Sequence, residues 1–225
     1  MIALVPLFLS LGVWQLYRGE EKEALMALRA RHESEPPIAL QGAAVALEEN
    51  RYRRVTVTGE YDAEHQFLLD NQVFRQHAGY HVLTPLRIQG SNMAVLVNRG
   101  WIPVGNDRTR LPDLAIRQTR VRISGILDRF AGIGFKLKGA QIPGPGWPAL
   151  VQWVDAERLS DRLGYGLLPY QVLLAPDETE GYERAWRPAS LSPETNRGYA
   201  LQWFSFALVV MILYVWHGFK RKRPD

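Results

Sequence analysis

Two long apolar runs bracket this chain, and the residues between them alternate at shorter periods. The longer run, Tyr199 to Phe219 (YALQWFSFALVVMILYVWHGF), holds 21 residues with no Asp, Glu, Lys or Arg, and the basic run Lys220 to Arg223 stops it. A helix rising about 1.5 Å per residue would make this run about 31 Å long, the thickness of a bilayer's hydrocarbon core. Trp203 and Trp216 stand near its ends with Tyr199 and Tyr214 close by, where amphipathic aromatics settle at membrane interfaces. The competing reading is a buried helix of a soluble protein. Such helices seldom run this far uncharged and then meet a basic block.

The other run, MIALVPLFLSLGVWQLY over 1–17, closes at Arg18 and predicts a second, shorter membrane helix. Met1 reads as an internal residue of a longer apolar segment. A signal peptide competes here, but its basic n-region and small-residue cleavage site are missing. Two spans put both termini on one side, and the basic tail 220–225 assigns that side to the cytoplasm. Residues 18–198 then form one external domain, periplasmic in a bacterium, and membrane lipid is an expected partner.

Between the spans, RGEEKEALMALRARHE is rich in helix formers and predicts that the first helix continues into solvent until Pro36 and Pro37. Short strand-like runs follow. In RYRRVTVTGEY, Arg53, Val55, Val57 and Gly59 share one face, and Arg54, Thr56 and Thr58 the other. QFLLDNQV, YHVLTPLRI, MAVLVNRGWIPV after the turn QGSN, TRVRISGIL and YQVLLA continue the series. They predict an antiparallel sheet or partly closed barrel. DAERLSDRL reads as a short helix capped by Asp155, with Leu159 and Leu163 on one face. The predicted class is therefore a membrane protein. Two transmembrane α-helices at the chain ends flank an α+β, mainly antiparallel-β domain.

Charge and composition change this picture little. The net charge is +4, but Lys220 to Arg223 with Asp225 supply +3 of it, leaving 23 basic and 22 acidic side chains elsewhere. A balanced body with a basic tail argues for an anchor and against a nucleic-acid surface. With no cysteine there is no disulfide framework and no thiolate metal site.

Candidate chemistry is sparse. The glycine-rich stretch AGIGFKLKGAQIPGPGWP lacks the Gly-Lys-Ser/Thr ending of a phosphate loop and reads as a surface loop with apolar residues suited to docking. His77 and His81 are four apart, but Gly79 between them argues against a helical zinc pair, so they read as surface residues at a turn. Asp62, Glu64 and His65 have the composition of a hydrolytic cluster without a nucleophile motif. His217 ends the second span beside Trp216, where an imidazole snorkels to the interface or ligates haem iron. Gln15 and Gln202 are placed to bond across the helix pair.

Several segments together identify a resemblance. GVWQL, RRVTVTGEY with QFLLDNQ, GYHVLTPLRI, VLVNRGWIP, PYQVLLA and GYALQWFSFAL, in this order between two terminal spans, resemble the surfeit-locus-one family, assembly factors for haem–copper cytochrome c oxidase. The resemblance covers nearly the whole chain. It implies a non-enzymatic role in the inner membrane, helping to install haem a in the oxidase's catalytic subunit or stabilising an assembly intermediate. The implied partners are that subunit and the haem a synthesis enzymes, and transient haem a is the one cofactor implied. Haem-facing candidates are Gln15, Tyr199, Trp203 and His217, and partner-binding candidates are Trp14, Gly100 and Trp101. Members of the family usually carry a histidine, considered a haem ligand, three residues before the tyrosine that opens the second span. Counting back from Tyr199 lands on Asn196. Two alternatives stay open: a membrane-anchored scaffold without cofactor, and an anchored hydrolase using Asp62, Glu64 and His65.

Overall fold

The computed structural model describes residues 3–105, 111–131, 142–186 and 192–221, with side chains as far as 218. Most of the glycine-rich stretch (132–141) and the side chains of the basic tail lie outside the described residues. The chain divides into two compact units. One is Met1–Ala30 with Arg187–Asp225, and the other is Arg31–Trp186.

The first unit is a helix pair. Helix α1 spans Leu4–Ser34, its last four residues belonging to the second unit, and helix α4 spans Pro193–Arg221. α1 runs without a break from the apolar run into the charged segment and stops before Pro36, as its sequence predicts. The stretch Pro193–Gly218 of α4 is long and apolar enough to cross a membrane, and its large side chains are mostly exposed rather than buried. The helix starts at Pro193, earlier than the apolar run itself, because proline is well suited to the first turn. Among the described residues, α1 does not meet the same measure of length and hydropathy. Its described apolar part, Leu4 to Tyr17, covers about 21 Å, and Arg18 follows directly.

The second unit is a sheet of eight strands: β1 Ile38–Leu40, β2 Arg54–Tyr61, β3 Phe67–Phe74, β4 His77–Ile88, β5 Met93–Pro103, β6 Arg120–Asp128, β7 Ala149–Val151 and β8 Gly166–Leu174. Their order is β1-β2-β6-β8-β5-β4-β3-β7, and a further pairing of β2 with β4 closes five of them into a barrel. Helix α2 (Leu47–Asn50) lies between β1 and β2, and helix α3 (Ala156–Leu163) between β7 and β8. The predicted antiparallel sheet is in fact mixed. Three pairings, β1–β2, β3–β7 and β5–β8, are parallel. Parallel neighbours need long crossovers, and α2, α3 and the long loops supply them.

Alternation decides the core. Val55, Val57 and Tyr61 of β2 point inward and meet Leu86, Val95, Ile123, Tyr170 and Val172 inside the barrel. β5 has both faces covered, Val95 and Val97 by the barrel core and Ala94 and Leu96 by the cluster under α3, so it reads as a continuous buried run. Its outer face, with Leu96 and Ala94, joins Phe67, Leu69 and Leu83 under α3. The Asp155 side chain caps α3 by accepting from the Arg158 N–H, Gly164 ends it in the left-handed conformation, and Leu159 is its buried anchor. A fully buried leucine contributes about 2 kcal/mol.

Candidate functional site

In the helix pair, α1 and α4 run antiparallel along a seam spaced by threes and fours. Phe8, Gly12, Gln15 and Gly19 of α1 face Trp203, Phe204, Asn196 and Pro193 of α4. Such spacing keeps one stripe of each helix on its partner. Gly12 permits the close approach: a Cβ there would come 2.5 Å from Phe204 Cε1. Trp203 stacks on Phe8 at 5.7 Å between ring centres, and both rings contact Phe206 at 5.9 Å. Ala200 and Ala207 are fully buried in this unit.

At the polar end of the seam, Asn196 donates from Nδ2 to Gln15 Oε1 at 2.7 Å, and its Oδ1 accepts from Lys22 Nζ at 2.7 Å. Arg197 pairs with Glu23 one turn on, at 2.5 Å. The Asn196 amide thus uses one donor and its acceptor within the helix pair, and the arrangement is a clasp between the helices. Gln15 finds Asn196 rather than Gln202, which is exposed, because the helices cross with Asn196 at the level of Gln15. Of the predicted haem-facing residues, Gln15 and Trp203 lie on the seam. Tyr199 points outward, as does Trp14, and both are about half exposed. His217 is exposed near the far end of α4, 21 residues from Asn196 and about 32 Å along the helix.

A haem iron needs an axial donor, and this clasp does not fit that need. An amide is a poor iron ligand beside imidazole, and here the Asn196 amide oxygen is already occupied by Lys22. His217 is too distant to take its place at that end.

In the sheet unit, the VNRGW segment of β5 builds a buried polar network. Arg99 is 2 % exposed. Its Nε donates to the Glu180 carbonyl at 2.6 Å and Nη1 to Gln66 Oε1 at 3.1 Å, with the Glu180 carboxylate 3.7 Å away. The Tyr182 ring lies 5.1 Å from the guanidinium. Gln66 completes its own bonding with the Thr84 hydroxyl and the Leu114 carbonyl. The neighbouring Tyr61 hydroxyl is buried and has no hydrogen-bond partner among the described residues, and this burial pushes its pKa up.

Asn98 forms the second branch. Its Oδ1 accepts from the Gly100 N–H, and its Nδ2 donates to Gln171 Oε1 at 3.2 Å and to His81 Nδ1 at 3.3 Å. His81 is therefore not the surface residue its alternation suggests. It is half-buried in β4 with its ring edge toward Trp186, and burial lowers its pKa to about 4. Gly100 sits at φ +117°, where a Cβ would meet the Glu183 carbonyl oxygen at 2.7 Å. That close approach lets the 180s segment bridge Trp101. Trp101 is 8 % exposed and donates from Nε1 to the Gln72 carbonyl, so Gly100 and Trp101 are placed within the packing of β5 rather than on an open face. Sequence reasoning singled out the glycine and tryptophan and passed over Asn98 and Arg99. The available signal was two polar residues inside an otherwise apolar strand.

Asp62 and His65 do come together. The Asp62 side chain, 7 % exposed, accepts from His65 Nδ1 at 2.8 Å and from the Tyr165 hydroxyl at 2.7 Å, with Arg87 at 3.4 Å. Burial alone would raise its pKa, but the Tyr165 and His65 hydrogen bonds, with the charges of His65 and Arg87, hold it below the usual range. This carboxylate is an anchor crowded by donors. No group of three or more His, Cys, Asp or Glu suited to a metal occurs among the described residues.

Three relatives are similar to this chain in sequence. A SURF1-like protein of Monosiga brevicollis is 30 % identical over 52 % of this chain and 49 % of its own length. One of Caenorhabditis elegans is 27 % identical over 98 % of this chain and 73 % of its own. One of Rickettsia conorii is 23 % identical over 93 % and 85 % respectively. The chain thus spans about half of the first relative and most of the other two. A sequence model of the SURF1 family matches residues 2–208, nearly the whole length, and the chain belongs to the SURF1 family.

Proposed function

We propose that this protein is a membrane-anchored assembly factor for haem–copper cytochrome c oxidase, acting on the catalytic subunit while haem a is installed. The observation that carries this reading is the family match over residues 2–208. The protein works by binding and stabilising rather than by catalysis, and its partners are the catalytic subunit and the enzymes that make haem a. The occupied Asn196 amide favours a role that does not ligate the haem iron at that position.

The topology we propose is a hairpin in the inner membrane, with both termini in the cytoplasm and the sheet-rich unit in the periplasm. Three features support it. α4 is long enough to span. Both helices turn large apolar side chains outward, including Leu7, Leu9 and Val13 on α1. The basic run after Phe219 matches the positive-inside rule.

The test compares membranes from a strain lacking the gene with those of the same strain after the gene is restored. Haem a content and oxidase activity should fall together and return together. If both stay unchanged while the a-type oxidase is expressed, the assembly role is wrong for that oxidase.

A further inference from the structure

Outside the buried networks, a trough of about 580 Å³ lies on the outer face of β2, between β6 and β4. Register places its charges in two rows. Glu60 stands opposite Arg120 on one side and Arg87 on the other, and Thr58 stands opposite Arg122, with Gln89 bonded to the Thr58 carbonyl across from it. Only Glu60 among these is acidic. Arg87 is partly engaged, lying 4.4 Å over the Tyr165 ring and near Asp62. Arg120 is 86 % exposed and reaches Glu60 only at 3.4 Å, a contact that solvent makes weak. Arg122 has no hydrogen bond or ion pair among the described residues, and it extends the trough toward Gln41.

We propose that this trough is a docking surface for an extended acidic segment of a partner protein. Arg120 and Arg122 are alternate residues on one face of β6, so their stems rise about 7 Å apart, the spacing of alternate side chains in an extended chain. Arg87 rises across β2, about 10 Å from them, leaving room for one chain to lie along β2. Carboxylates at alternate positions of that chain meet Arg120 and Arg122, and Gln89 and Gln41 offer amides to its backbone. A compact phosphate matches this arrangement less well, since two parallel stems and neutral amides form no single focus. Every residue of the trough lies in the sheet unit, and the docking surface stands independently of the oxidase reading.

The test uses the full chain in detergent and a fluorescein-labelled peptide with Glu at alternate positions, followed by anisotropy. R120Q/R122Q should weaken binding about tenfold, E60Q should tighten it, and R158Q on α3 should leave it unchanged. Binding should also fade with salt. A peptide of identical composition with contiguous Glu residues should bind more weakly. The proposal is overturned if the peptide does not bind, or if R120Q/R122Q with unaltered melting binds as well as the parent. It is equally overturned if inorganic phosphate or vesicles of an anionic phospholipid compete as strongly as the unlabelled peptide, which would make the trough a small-anion or headgroup site.

Discussion

Acid should destabilise the sheet unit through one histidine, the ring that Asn98 bonds. His81 has a pKa of about 4 in the fold because it is withdrawn from water, against about 6.5 in the unfolded chain. A depressed histidine is neutral in the fold while the unfolded chain takes up a proton. Its contribution is therefore intact above pH about 6.5 and is lost as pH falls toward about 4. Every tenfold difference in proton affinity between the folded and unfolded chain is worth about 1.4 kcal/mol, so the loss by pH about 4.5 is on the order of 2–3 kcal/mol. The hydrogen bond explains the sign independently: Asn98 Nδ2 donates to His81 Nδ1, so a proton on Nδ1 would set two donors face to face. The assay is urea unfolding at neutral pH and at pH about 4.5, for the parent and for His81→Asn, whose amide oxygen substitutes for Nδ1 without titrating. The parent should lose on the order of 2–3 kcal/mol more than the variant. Parallel losses in the two proteins would refute the reasoning, and would assign the acid sensitivity to carboxylates such as Asp62, whose depressed pKa works in the same direction at lower pH.

Other outcomes follow from the same geometry. Arg99→Met should cost about 3–5 kcal/mol in urea unfolding, because it leaves the Glu180 carbonyl and the Gln66 amide oxygen short of a buried donor and the Glu180 carboxylate without its cation. Gly100→Ala should cost at least about 2 kcal/mol by the same assay, since its φ and the Glu183 carbonyl both oppose a Cβ. Tyr61→Phe, which removes a buried hydroxyl that has no partner among the described residues, should be neutral or stabilising by up to about 1 kcal/mol, and a clear loss would reveal a bond to that oxygen. Gly12→Leu should force the helix pair apart at Phe204 while the melting of the sheet unit stays unchanged, and under the proposed assembly role it should lower oxidase activity in membranes.

The sequence by itself determined the longer elements, while the three-residue strands β1 and β7 and the one-turn α2 are too short to carry a periodic signal. The uncharged run from Tyr199 marks α4 because burying or lipid-facing a whole helix demands apolar residues on every side. The alternation of Val55, Val57 and Tyr61 marks the inward face of β2, and Asp155 marks the start of α3, because period and capping are local properties. Only the tertiary structure decided which strands pair and in which direction, since the parallel partnership of β5 with β8 joins residues some seventy positions apart and no local pattern specifies it. It alone gave Asn196 its partners in Gln15 and Lys22, and moved His81 from an apparent surface to a half-buried site beside Asn98. Alternation reports one face of one strand. Whether that face meets water depends on what the rest of the chain lays over it.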